Sequence, residues 1–245
     1  MNPVGTGAKG VAGPVPESGL RFGLSPAFLY RRDAGSGQLT GFGIDLAADL
    51  AGSLGARHRF VEYRDPEALV EGLTAGTCDL AAIIGIDPRR ATEVDFSPPY
   101  LRADYTFLVP ASSSVRSMAE LDRTGTRVAV VRNHRMDSVL RGQLHEAESV
   151  YTETPDESFD KLRCGVVDAA AGIRPGLLRY AARLEGSRVL NDAFGENRLA
   201  MAVAKGNGSL LARVDDYLRG ARASGHLRRM AERCGLPGEW VDGAA

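Results

Sequence analysis

From residue 20 onward, short runs rich in β-branched and apolar residues alternate with stretches whose apolar positions recur at the helical period, and the alternation falls into two blocks. In the first block Leu20–Leu24 reads as a strand. Ala47, Leu50, Ala51 and Leu54 mark a helix closed by Gly55, and residues 58–63 alternate as a second strand. Asp65 and Pro66 have the chemistry of an N-cap and a first helical position, with Leu69, Val70 and Leu73 as the buried stripe behind them. Residues 80–86 have the length and composition of a buried strand. Between the first strand and the first helix, residues 28–40 read as an exposed hairpin or loop with Gly35, Ser36 and Gly37 at its tip. In the second block Arg127–Val131, 149–152 and 166–171 read as strands, and 136–144, 156–162 and 175–184 as helices. Residues 105–110 and 198–204 read as extended crossovers, followed by two terminal helices at 209–223 and 226–234.

Such alternation argues for parallel sheets covered by helices. Two blocks joined by two crossovers imply a two-lobed α/β chain with a hinged cleft between the lobes. The expected division is residues 1–19 as a disordered, Gly- and Pro-rich lead-in, 20–108 with 200–240 as a discontinuous first lobe, and 109–199 as the second. No repeat of fixed period is found.

Charge excludes some partners. Thirty basic and 31 acidic side chains leave a formal charge of −1, so no global field argues for nucleic acid or an anionic membrane. No apolar run approaches the roughly 20 residues of a membrane helix, so no membrane insertion is expected. Cys78, Cys164 and Cys234 are odd in number and far apart, which predicts reduced, mostly buried thiols. His58, His134, His145 and His226 are equally scattered, and no metal or cofactor is expected. Residues 1–19 lack the apolar core of a secretory signal. Read with Met1 as the natural start, the chain is expected in the cytoplasm; with a leader removed, it is expected in the periplasm or outside the cell.

The stretch from Cys78 to Val109 carries the chemistry. Asp87 and Pro88 stop the strand at 80–86, and Arg89 and Arg90 follow at once. That places a guanidinium at the carboxyl end of a strand, where open α/β sheets bind ligands, and a guanidinium can grip a carboxylate through two parallel hydrogen bonds. Read from the residues alone, the pair could equally be solvated turn charges.

The ordered pieces LRFGLSPAF, LTGFGIDLAADLAGSLGA, ALVEGLTAGTCDLAA, DPRRATEVDFSPPYL, SMAELDRTGTRVAVV, CGVVDAAAG, AMAVAKGNGSLLARVDDYLRGARASG and HLRRMAERCGL resemble the type II periplasmic solute-binding proteins of polar amino acid uptake systems. The resemblance runs from about Leu20 to Leu236 and implies the type II two-lobed fold. It implies that Arg90 binds the ligand carboxylate, that Arg89 is solvated, and that Phe28 covers the ligand as a lid. It also implies departures. Where the family has hydroxyls before the arginine turn, this chain has Ile83 and Gly85, leaving backbone donors. The family's acid that holds the ligand ammonium falls on Ile173, beside Gly172 and Arg174, and the acid that the family carries after the first strand falls on Ser25. The helix entry of the second lobe reads Asn133-His134-Arg135, and the second aromatic wall falls near Pro66, with Tyr63 as a substitute.

If the resemblance holds throughout, Arg90, His134, Arg135 and Arg174 converge on one cleft. The expected ligand is then a small anionic molecule, amino-acid-like or with two acidic groups and no obligatory ammonium. The implied partner, if the chain is exported, is a membrane permease. The alternative is an enzyme on the same scaffold, resembling cyclohexadienyl and chorismate dehydratases, with His134 as its general acid or base.

Overall fold

The computed structural model describes residues 19–132 and 135–242. The chain divides into two compact units, Met1–Tyr100 with Leu199–Ala245, and Leu101–Arg198. The lead-in expected over 1–19 lies outside the described residues except for Gly19, which is buried and belongs to the fold: at φ +85° its Cβ would lie 2.5 Å from the Arg57 carbonyl oxygen.

The first unit opens with β1 (Leu20–Leu24), the short hairpin β2 (Arg31–Arg32) and β3 (Leu39–Thr40), α1 (Phe42–Ser53), β4 (His58–Glu62), α2 (Pro66–Thr74), β5 (Leu80–Gly85) and β6 (Val94–Phe96). Gly41 stands before α1 at φ 124°, with the Leu29 carbonyl oxygen only 2.6 Å from where a Cβ would sit, so the turn admits only glycine. Asp65 caps α2 by accepting the Ala68 N–H at 2.7 Å, and Pro66 occupies the first helical position, as the sequence predicts.

The second unit holds β7 (Leu101–Val109), α3 (Met118–Leu121), β8 (Arg127–Val131), α4 (Arg135–Leu140), β9 (Glu148–Thr152), α5 (Pro155–Arg163), β10 (Ala169–Ile173), α6 (Arg174–Ala181) and β11 (Arg188–Val189). Then β12 (Gly195–Ala204) carries the chain back into the first unit, which ends with α7 (Gly208–Ala223), α8 (His226–Arg233) and α9 (Glu239–Asp242).

Each unit repeats one topology. In the first, β1 pairs in parallel with β4 and β5, and β5 pairs antiparallel with β12, Leu199 opposite Gly85; β6 lies along β12. In the second, β8 pairs in parallel with β9 and β10, and β10 pairs antiparallel with β7, Ile173 opposite Tyr105. The sheets are therefore mixed, not purely parallel, because the strand closing each one arrives from outside its βαβαβ run.

Burial follows the pleat. In the second unit Tyr105, Phe107 and Val109 of β7 pack on one face with Val128, Val130, Met136, Leu140 and Phe194, while Leu108 packs on the other with Ala129, Phe159, Leu162 and Leu177. In the first unit Leu69, Val70 and Leu73 of α2 close over Cys78, Ala81, Ile84, Val94 and Ala202.

Four expectations need correction. Residues 101–108 belong to the second unit, because β7 pairs with β10 and β11. The helix expected over 136–144 ends at Leu140 and gives way to turns around Gly142, a poor helix former. The strand expected from 166 begins at Ala169. Of the cysteines only Cys78 is buried; Cys164 is exposed and Cys234 half-buried. Among the described residues no helix is long and apolar enough to cross a membrane.

The same clamp locks both sheets. Asp79 accepts the Arg21 N–H at 2.8 Å and its Nε at 3.0 Å, while Arg21 Nη1 donates to the Gly76 carbonyl. Asp168 accepts the Arg127 N–H at 2.8 Å and its Nε at 3.2 Å, while Arg127 Nη2 donates to the Gly165 carbonyl. Burial alone would raise both carboxyls, but the arginine hydrogen bonds and charge hold them below their ordinary values. A carboxyl lowered in the folded state contributes stability that is present above its unfolded pKa and is lost as pH falls through the folded one. Both clamps therefore weaken on acidification below about pH 4. The Asp79 side chain is 15% exposed and that of Asp168 47%, so water screens the first less. Asp79→Asn is expected to flatten the fall of the urea midpoint between about pH 5 and pH 2 more than Asp168→Asn does. Parallel curves for wild type and Asp79→Asn would refute this.

Candidate ligand-binding site

Arg90 opens a short 3-10 turn, Arg90–Thr92, just beyond the end of β5. The turn is built by Asp87, whose carboxylate accepts the Arg89 N–H at 2.8 Å and the Arg89 Nε and Nη2 at 3.3 Å. Burial would raise the Asp87 carboxyl, but the Arg89 side-chain and backbone hydrogen bonds, with the charges of Arg89 and Arg90, hold it below the ordinary carboxylate range. Asp87 thus stays ionised and fixed. The two arginines differ: the Arg89 side chain is 66% exposed and lies against Asp87, whereas Arg90 is only 8% exposed.

The Arg90 guanidinium is held but not saturated. Its Nη1 donates to the Gly85 carbonyl at 3.2 Å and its Nη2 to Glu67 Oε1 at 2.9 Å. Its Nε is buried and has no acceptor among the described residues. A guanidinium carries five N–H donors, so these two bonds leave donors of Arg90 unmet, the buried Nε among them. Gly85 meets Arg90 through its carbonyl, so its role in the turn is to orient the guanidinium. Phe28, in the turn after β1, is half-buried, and Ser25, three residues earlier, is buried.

The other expected residues lie in the second unit or outside the description. His134, with Asn133, lies outside the described residues. Arg135 is the half-buried first residue of α4. Arg174, the first residue of α6, donates through Nε to Asp104 at 3.2 Å, through Nη1 to the Leu190 carbonyl at 2.8 Å and through Nη2 to the Asn191 carbonyl at 2.9 Å. These bonds tie α6 to the segment after β11 and leave little of the fork for a ligand. Within the first unit, then, Arg90, Gly85 and the Asp87 turn form one constellation.

Two members of it were not singled out in the sequence. Glu67 reads only as part of a helix start, because its partner is 23 residues away. Asp87 reads as a strand breaker, although an Asp two residues before an arginine can supply a local carboxylate for the turn.

The family model described as bacterial extracellular solute-binding proteins, family 3, matches residues 20–236. Among curated proteins, the chain is 25% identical over 197 residues to the ABC transporter glutamine-binding protein GlnH of Bacillus subtilis (strain 168), covering 79% of this chain and 72% of that protein. It is 26% identical over 232 residues to the L-cystine-binding protein TcyJ of Escherichia coli (strain K12), covering 92% and 86%. Among solved structures, it superposes with a TM-score of 0.77 and 28% identity on an ancestral amino acid-binding protein, a precursor of cyclohexadienyl dehydratase, covering 89% of this chain and 95% of that one.

Proposed function

This chain belongs to the bacterial extracellular solute-binding proteins of family 3, and from that premise we propose that it captures a small carboxylate-bearing solute through Arg90. The observation that carries this reading is a nearly buried guanidinium at the end of β5 with an unoccupied Nε and one exchangeable carboxylate partner. Such a group favours a planar, bidentate anion over any neutral ligand. On this reading the solute is handed to a membrane permease, and the protein works on the outer side of the cytoplasmic membrane. The family's description and the ABC-transporter glutamine-binding relative support both points. The relatives named for binding solutes favour a binding module over the dehydratase alternative.

Ile173 stands where the resemblance puts the family's ammonium-holding acid and Ser25 where it puts the acid after the first strand, and neither carries a charge. The amino group is therefore not required on this reading. Calorimetric titration with L-glutamate and with glutarate tests it. Glutarate is expected to bind at least as tightly as L-glutamate. L-Glutamate binding more than about tenfold tighter, a difference of about 1.4 kcal/mol, would show that the amine is read. L-Lysine is expected to bind poorly, and absence of binding by every carboxylate would remove the Arg90 grip.

A further inference from the structure

Arg90 has two carboxylates within its field, and they are held very differently. Asp87 is buried and fixed by three hydrogen bonds from Arg89. Glu67 has a side chain 49% exposed and meets Arg90 through one hydrogen bond, from Nη2 at 2.9 Å. Nor does the helix need Glu67 there, since Asp65 already accepts the Ala68 N–H and caps α2. Glu67 balances a charge that burial would otherwise leave without a partner, and it can leave that place for water without breaking anything else described around it.

We propose that Glu67 is the resident counter-ion of Arg90 in the unliganded protein, a built-in competitor that an arriving carboxylate displaces. The inference rests on the reading of Arg90 as the carboxylate grip and adds what sets its affinity. A bidentate carboxylate on the Nε–Nη2 edge makes two charge-assisted bonds where Glu67 makes one. The exchange therefore favours the ligand while subtracting the strength of the internal pair from its binding. It also discriminates: a neutral or monodentate solute makes no second bond and leaves Glu67 in place.

The test follows the Arg90 Nε–H resonance, identified by its loss in Arg90→Ala, in the full chain as sodium acetate replaces sodium chloride at constant ionic strength. Acetate supplies the carboxylate and nothing else. In Glu67→Gln the acetate midpoint is expected to fall by about two- to fivefold, the factor a half-exposed ion pair is worth. Glu67→Ala is expected to give the same shift, which guards against a Gln that keeps an acceptor in place. An unchanged or higher midpoint in both variants, with the wild-type response intact, overturns the role of Glu67 and leaves the Arg90 grip standing. A resonance that ignores acetate in wild type and variants alike overturns the grip itself, and this proposal with it.

Discussion

Arg90→Ala is expected to weaken carboxylate binding by about two to four orders of magnitude. Two hydrogen bonds to a charged group, at about 1.5–3 kcal/mol each, amount to about 3–6 kcal/mol. The fold is expected to survive, because the substitution removes a nearly buried charge and leaves Glu67 half-exposed, free to hydrate. Arg90→Lys separates charge from geometry. An ammonium keeps the attraction but not the planar fork, so an intermediate loss of about ten- to a hundredfold is expected. Calorimetry on protein with an unchanged far-UV spectrum is the measurement, and an Arg90→Ala variant with wild-type affinity would remove Arg90 from the site.

Phe107→Ala is expected to cost the second unit about 3–5 kcal/mol. Phe107 is 1% exposed in β7, its ring centroid 4.8 Å from that of Phe194, which stacks in turn on Tyr105 at 5.7 Å. Removing it opens a cavity at one end of that stack. The single tryptophan, Trp240, lies in α9 of the first unit, so its fluorescence follows that unit while far-UV circular dichroism follows both. In denaturant the variant is expected to show an early dichroism transition with no matching change in fluorescence. Coincident transitions would mean that the two units unfold as one cooperative body.

Helix starts and buried strands were legible because their causes are local. Asp65-Pro66 caps and opens a helix in any context, and an apolar run such as Leu80 to Ile84 can only be buried. What the sequence hid was pairing at a distance. Nothing near Arg174 announces Asp104 or the Leu190 carbonyl, and nothing near Arg90 announces Glu67. The topology shared by the two units was hidden for a related reason. Arg21 and Asp79 are 58 residues apart, Arg127 and Asp168 only 41, so no fixed period relates the two units. Its trace is short: Leu73, Gly76 and Asp79 share their spacing with Leu162, Gly165 and Asp168. Arg90 itself was legible as a candidate because a strand end and a turn are local features. Its burial was not, since that depends on what packs over it.

The return of β12 into the first unit has a kinetic consequence. The second unit is one uninterrupted stretch and can close on itself as soon as it has been synthesised. The first cannot, because β5 lacks its antiparallel neighbour until more than a hundred further residues have emerged. Through that interval β5 presents an unpaired edge to other nascent chains, the kind of surface that seeds aggregation. Collapse of the inserted unit shortens the loop that β12 must close, lowering the entropic cost of the last pairing. Substitutions that loosen the second unit, Phe107→Ala among them, are therefore expected to lower the yield of folded protein by prolonging the time for which β5 waits.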